Sequence, residues 1–177
     1  MLCVLPALLL TAYFTLGPTI EAFAKSLTNA TKLGMNRVNW VGLENYEYMF
    51  KDKRFLMSLG NTLKLMAFVP PVMLAFSLLL AYTICQCRLK EKGLYRTVFF
   101  FPSVLSLTVV GIIWSFIFHP TMGIVNSALT ALGLPDMCRA WLGDSRTALW
   151  CIAIALVWQG AGYYMVMHIA AMDSISA

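Results

Sequence analysis

Near the end of the chain, an amide and two phenol side chains lie close together inside an apolar run. Gln159 is followed by Gly160 and then by Tyr163 and Tyr164, within the stretch 157–164. Amides, hydroxyls and aromatic rings are the groups that bind uncharged polar ligands in concave sites. The stretch holds neither a nucleophile with its base nor a metal-binding cluster, so these residues indicate weak binding and no catalysis.

The run that carries these residues is long enough to cross a membrane. Residues 147–172 form a stretch of 26 residues without a charge, and Gln159 and Gly160 lie at its centre. As a helix, the run would be about 39 Å long, against a hydrocarbon core of about 30 Å. Gln159 is therefore predicted near the bilayer midplane, where an unpaired amide is costly and should face protein or water.

Two interpretations fit this stretch when it is considered alone. A span interrupted by glycine, with a polar residue at mid-depth, is typical of a transporter binding site. The same residues also suit a packing face, where glycines allow close approach and glutamine bonds to a neighbouring helix. These eight residues by themselves favour packing. On a helix, Gln159 and Tyr163 share one face because they are four residues apart.

The composition of the chain indicates a membrane protein. It is 60% hydrophobic and only 12% charged over 177 residues, whereas soluble domains carry about 25% charged residues. The net charge of +5 lies in short flanks between apolar runs, which suits anionic lipid headgroups better than nucleic acid. There is no Gly-x-x-x-x-Gly-Lys-Ser/Thr motif, so we expect no ATPase site in this chain. The five cysteines have no spacing typical of a metal site.

Four apolar runs predict an all-α polytopic membrane protein with four transmembrane helices. The predicted segments are a first span at 1–24, an external polar segment at 25–60 and a transmembrane domain at 61–177 with spans at about 65–87, 97–118 and 147–172. In the last external loop, apolar residues recur at helical spacing from Ile124 to Leu132 and are followed by Gly133. This short pattern predicts an amphipathic helix that lies in the membrane interface.

An ordered set of motifs resembles one family of membrane proteins. The motifs are Gly42-Leu43-Glu44-Asn45-Tyr46 with Asp52, Phe55 and Asn61-Thr62; Tyr95-Arg96-Thr97 with Phe101-Pro102; Trp114 with Gly123 and Asn126; and Trp141-Leu142-Gly143-Asp144, Trp158-Gln159-Gly160 and Asp173-Ser174-Ile175. In this order and spacing they are similar to the permease subunits of binding-protein-dependent ABC importers, in the carbohydrate branch that includes the maltose and glycerol-3-phosphate types.

The resemblance implies the first four spans of a six-span type I ABC importer permease, in a bacterial plasma (inner) membrane. In that family a cytoplasmic coupling loop with a Glu-Ala-Ala motif follows the position of Ile175. Because the sequence ends at Ala177, we expect an incomplete permease without the coupling loop. The resemblance also places the N-terminus, residues 88–96 and the C-terminus in the cytoplasm, a choice that the charge distribution alone leaves open.

The resemblance also implies a site and a set of partners. Gln159, Gly160 and Tyr163 match positions that line the sugar path, which reverses the preference for packing. No Lys or Arg lies inside a predicted span apart from Lys64, at the edge of the second span, and this favours a neutral mono- or oligosaccharide. The expected partners are a second permease subunit in a heterodimer, cytoplasmic ATPase subunits that bind the ATP, and an extracellular solute-binding protein. The chain itself is expected to hold no cofactor.

Two other classes of function are weighed against the permease. A membrane-embedded enzyme would need paired carboxylates, histidine clusters or an activated nucleophile inside the spans, and the four apolar runs contain none of these. A truncated or scaffold-type four-span protein, without transport activity of its own, would use its glycines and prolines for packing only. Composition does not separate this last class from a permease.

Overall fold

The fold is known from a computed structural model that describes residues 4–30, 38–86 and 91–175. The described residues are helical apart from turns, loops and one isolated bridge between Thr28 and Trp40. The chain divides into two compact units, residues 1–60 and 61–177. The boundary between the units falls inside a single long helix.

The helices are α1 (Leu5–Thr11), a π-helical segment (Ala12–Leu16), α2 (Gly17–Ser26), α3 (Glu44–Lys51), α4 (Lys53–Gln86), α5 (Lys92–Val104), α6 (Leu107–Ile117), α7 (Ile124–Ala131), a short 3₁₀ turn (Pro135–Met137) and α8 (Ala148–Ile175). Of the described segments, Leu5–Ser26, Lys53–Gln86 and Ala148–Ser174 are each long and apolar enough to cross a membrane.

The first helical run changes its hydrogen-bond pattern just before a proline. Pro18 has no N–H to donate to the carbonyl of Phe14, and its ring crowds that carbonyl. The backbone widens into the π-helical segment, in which the N–H of Gly17 donates to the carbonyl of Ala12, five residues back. The run thus remains helical from Leu5 to Ser26.

The Gly42–Tyr46 motif folds back onto the end of α2. Gly42 adopts a φ of 60°, a left-handed conformation that favours glycine. The Asn45 side chain then donates hydrogen bonds to the carbonyls of Ser26 (2.7 Å) and Thr28 (2.9 Å). The Tyr46 hydroxyl bonds to the Ser26 hydroxyl at 2.7 Å. The motif therefore fixes α3 against the polar end of the first span.

The span predicted at 65–87 is part of a longer helix. α4 begins at Lys53, where the carboxylate of Asp52 accepts a hydrogen bond from the N–H of Arg54 at 2.8 Å. Helix N-termini favour such a carboxylate because it satisfies a free N–H group. Pro70 and Pro71 lie inside α4 without ending it.

The span predicted at 97–118 consists of two helices that meet at a sharp bend. α5 ends at Val104 and α6 begins at Leu107, with a bend of 100° between them. Leu105 and Ser106 have extended backbones, and the Ser106 hydroxyl accepts from the N–H of Val109 at 3.4 Å. Ser106 thus acts as the N-cap of a new helix. The described residues contain three spans, or four if this bent pair crosses the membrane.

The second unit is built around α8. Near one end of α8, Met165 and Ile169 form a buried core with Ala81 and Ile84 of α4. α5 packs along α8 more extensively than any other helix does. Arg96 and Asp173 lie 3.8 Å apart at their charged atoms and join the start of α5 to the end of α8. The two helices are therefore antiparallel, and the α5–α6 break lies beside the middle of α8.

The helix predicted in the last external loop is present as α7. Leu132 ends it, and Gly133 follows with a φ of 77°. Such a left-handed glycine is a common end to a helix. Its location in the membrane interface remains a prediction.

Candidate functional site

Gln159, Gly160 and Tyr163 lie near the middle of α8, beside the α5–α6 break. Gln159 and Gly160 are half-buried, whereas Tyr163 is 53% exposed. The structure therefore brings the three predicted residues to one region of the second unit. It also surrounds them with groups from α4 and α5.

The Gln159 side chain bonds to the broken helix. Its Nε2 donates to the backbone carbonyl of Leu105 at 3.1 Å. Leu105 follows the last residue of α5 and has an extended backbone, so its carbonyl is one of those that a helix end leaves without a partner inside the helix. Gln159 therefore satisfies a polar group that the break would otherwise expose to the membrane interior.

A second group from α5 contacts the backbone of the same turn. The Ser103 hydroxyl donates to the Gln159 carbonyl at 2.9 Å and accepts from the N–H of Tyr163 at 3.1 Å. Together with the Leu105 contact, three hydrogen bonds join the end of α5 to residues 159–163. The polar centre of α8 is thus paired with protein, as its depth requires.

The two glycines of this turn accommodate different neighbours. A Cβ added at Gly160 would overlap the sulfur of Met73, and one added at Gly162 would overlap the backbone carbonyl of Phe99. Met73 belongs to α4 and Phe99 to α5. Gly160 therefore admits a flexible thioether, whereas Gly162 lets two helix backbones approach closely.

The two tyrosines form an edge-to-face pair. Their ring centroids are 5.5 Å apart and their planes meet at 87°. Tyr164 is half-buried, whereas about half of the Tyr163 surface is exposed to solvent or lipid. The exposed ring of Tyr163 lies on the same helical face as Gln159. It is available as an aromatic platform for a ligand.

A cavity of about 380 Å³ lies between α6 and α8. Its lining is mainly apolar and includes Gln159 and Leu142. Trp114, which also lines it, stacks on Phe118 at 5.2 Å and meets Trp158 edge-to-face at 5.7 Å. Gln159 thus both bonds to the end of α5 and lines a cavity that has Trp114 and Phe118 in its wall.

Asn126 organises the loop that leads into α8. It is 6% exposed, and its Nδ2 donates to the carbonyls of Pro120 (2.8 Å) and Arg139 (3.0 Å). Its Oδ1 accepts from the indole N–H of Trp141 at 2.7 Å. The Trp141–Asp144 motif continues into the first turn of α8, where Asp144 accepts from the backbone of Ala148. The loop motifs therefore hold the entry of α8 in place.

The residues that sequence reasoning missed are those contributed by other helices. Ser103, the Leu105 carbonyl and Met73 all contact the predicted site. A serine inside an apolar run was the one available signal for Ser103, since a buried hydroxyl needs a partner. Nothing in the sequence pattern indicates that its partner is 56 residues away.

Comparison with known proteins finds relatives over nearly the whole chain. No protein-family model matches it. The chain is 32% identical over 174 residues to the probable ABC transporter permease protein PH1215 of Pyrococcus horikoshii, covering 98% of this chain and 59% of that protein. It is 33% identical over 174 residues to the lactose transport system permease protein LacF of Rhizobium radiobacter, covering 98% and 57%. The chain thus spans less than two thirds of the length of these relatives.

Similar structures share the fold. A bacterial ABC transporter that imports the acidic polysaccharide alginate has a chain with a TM-score of 0.80 and 22% identity, covering 97% of this chain and 56% of that one. The same transporter, solved in complex with an alginate pentasaccharide-bound periplasmic protein, matches with a TM-score of 0.79 and 21% identity over 97% of this chain and 56% of that one.

Proposed function

Because this chain belongs to the permease subunits of ABC transporters, we propose that it forms part of the transmembrane path of a sugar importer. Curated relatives are named as permeases for lactose, diacetylchitobiose and sn-glycerol-3-phosphate. A permease performs no covalent chemistry, in line with relatives that are transporters and not enzymes. Its task is to present a weak polar site in mid-membrane and to expose it alternately to each side.

The observation that carries this proposal is the polar cluster at the α5–α6 break. Gln159, the Ser103 hydroxyl and the Leu105 carbonyl meet near the middle of an uncharged span, with the Tyr163 ring exposed on the same face as Gln159. Sugars need amide, hydroxyl or carbonyl partners together with a flat aromatic surface. Irregular backbone at membrane depth is tolerated where it is buried in protein or lines a water-filled cavity.

The substrate that we propose is a neutral mono- or oligosaccharide. Residues 97–118 and 147–172 contain no Lys or Arg, and an anionic sugar would favour such a cation in its path. The alginate importer handles an acidic polysaccharide with the same fold, so the fold does not select the charge of the substrate. The proposal therefore depends on the side chains of this chain alone.

Competition between sugars tests the charge of the substrate. In vesicles that contain the assembled transporter, neutral oligosaccharides should inhibit uptake of a neutral sugar about tenfold more strongly than uronic acid oligosaccharides of the same length, because a carboxylate would enter without a counter-ion. Inhibition constants from both series give the comparison. Stronger inhibition by the acidic series would contradict a neutral substrate.

The proposed partners follow from what a permease lacks. The sequence contains no phosphate-loop motif, so ATP would be bound by separate ATPase subunits on the cytoplasmic side. A second permease subunit would complete the path as a heterodimer. An extracellular solute-binding protein would deliver the sugar to the side that carries residues 25–60 and 119–145. The proposed location is the bacterial plasma membrane, with several membrane crossings.

Replacing Gln159 tests the proposed site. Gln159→Leu in the assembled transporter should lower sugar uptake about tenfold, because it removes an amide that is held beside the path. Gln86→Leu is the matched control, since it makes the same chemical change at the exposed end of α4. Uptake is measured per inserted transporter, so that a lower amount of folded protein is not counted as lost binding. Wild-type uptake by Gln159→Leu would remove this residue from the site.

A further inference from the structure

The hydroxyl of Ser103 lies beside one backbone link of α8. In an α-helix the N–H of residue 163 bonds to the carbonyl of residue 159. Ser103 Oγ is 2.9 Å from the Gln159 carbonyl oxygen and 3.1 Å from the Tyr163 nitrogen. It therefore contacts both ends of the single link that joins Gln159 to Tyr163.

We propose that Ser103 is a positioning residue for sugar recognition, acting through the backbone between Gln159 and Tyr163. The proposal rests on the proposed function, because it assigns to Ser103 a role at the same site. Ser103 need not touch the sugar. Its hydroxyl sets the geometry of the turn from which the Tyr163 side chain projects.

This turn needs support from outside its own helix. Gly160 and Gly162 both lie within it, and glycine is a weak helix former because its backbone has more freedom to lose. The Ser103 hydroxyl adds a donor and an acceptor where the helix is weakest. The Gln159 side-chain amide donates to the carbonyl of Leu105, two residues after Ser103. Ser103, in the last turn of α5, and Leu105, just after its end, thereby both bond to one turn of α8.

Ser103 differs from five other hydroxyls of the described spans. Those of Thr11, Ser77, Thr83, Thr97 and Ser115 bond to carbonyls three or four residues back in their own helices. Such bonds satisfy the hydroxyl within its own helix and do not join that helix to another. Ser103 bonds across to α8, so the loss of its hydroxyl would change how α5 packs against α8.

The test compares three variants in the assembled transporter. Ser103→Ala should raise KM for the sugar about fivefold, because the turn that carries Tyr163 loses its contacts with α5, with the maximal rate per inserted transporter unchanged. Ser103→Thr keeps the hydroxyl and should restore the KM. Thr97→Val is the matched control, because it removes a hydroxyl of α5 that bonds only within that helix. Should Ser103→Ala fail to insert, Ser103→Cys retains a weak donor and should raise KM less.

A variant with both Ser103 and Tyr163 replaced distinguishes a positioning role of Ser103 from a general loss of stability. If Ser103 acts through the Tyr163 side chain, Ser103→Ala should change KM less than twofold in a Tyr163→Ala background. An equal rise in both backgrounds, or a wild-type KM for Ser103→Ala, would overturn the proposal. With Gln159→Leu still impaired, that failure would leave the proposed function intact. A wild-type transporter that takes up no sugar would overturn both.

Discussion

Replacing Gly162 with alanine should force α5 away from α8 and lower the free energy of unfolding by about 3 kcal/mol. The added Cβ would overlap the carbonyl oxygen of Phe99 and lie 2.8 Å from the Cα of Phe100. Both neighbours are backbone atoms of α5, so they cannot rotate away as the end of a side chain would. The helices themselves must separate, which a closely packed interior does not allow cheaply.

The Gly162→Ala variant should also lose sugar uptake. The three hydrogen bonds from Ser103 and Leu105 to the turn 159–163 depend on the close approach of these helices. A shift of about 1 Å is enough to break such bonds, given their narrow distance range. Thermal melting of the purified protein in detergent gives the stability, and uptake in vesicles gives the activity.

Two other glycine variants serve as comparisons. A Cβ added at Gly93, in the first turn of α5, meets nothing within 4 Å, so Gly93→Ala should leave the melting temperature unchanged or slightly raised. Gly160→Ala should have an intermediate effect, because its obstacle is the flexible side chain of Met73. Combining Met73→Ala with Gly160→Ala should restore part of the lost melting temperature. A Gly162→Ala protein that melts like the wild type would show that the backbones do not meet here.

Replacing Asn126 with alanine should destabilise the loop before α8 by about 3 kcal/mol. The change would leave the indole N–H of Trp141 and the carbonyls of Pro120 and Arg139 without this partner in a part-buried place. Unsatisfied buried groups cost more than the hydrogen bonds themselves contribute. The expected results are a lower melting temperature and faster tryptic cleavage at Arg139.

Ser127→Ala provides the control for Asn126, because Ser127 is the next residue of α7 and is exposed. Its effect should stay within about 0.5 kcal/mol. Similar cleavage rates for Asn126→Ala and the wild type would contradict the role of Asn126 in holding the loop. An equal loss in both variants would point instead to a general weakness of α7.

The resemblance of the sequence to a permease came from residues whose structural roles are now visible. Asn45 and Tyr46 fasten α3 to the end of the first span. Asn126 and Trp141 bond to each other across the loop before α8. The side chains of these motifs form hydrogen bonds that hold loops and helix ends in place. Few other residue types can form the same bonds. This is why short, ordered motifs identified the family although no catalytic pattern was present.

The sequence by itself predicted the apolar runs, the helix in the last loop and a central place for Gln159 in its run. These properties follow from hydrophobic length and periodicity, which depend on neighbouring residues only. The bounds of α7 and the central position of Gln159 in α8 agree with that reasoning. The sequence also allowed two uses of the 157–164 stretch, packing or binding.

Only the tertiary structure decided how the polar centre of α8 is satisfied. The break between α5 and α6 is absent from the hydrophobic pattern, because residues 97–118 are uniformly apolar or uncharged. It is stable because Gln159, 54 residues away, bonds to the Leu105 carbonyl that the break leaves exposed. The hydrophobic pattern of a sequence indicates which residues are buried. The partner of a buried polar group depends instead on which helices pack together. Gln159 therefore packs against the broken helix, and binding remains its proposed second use.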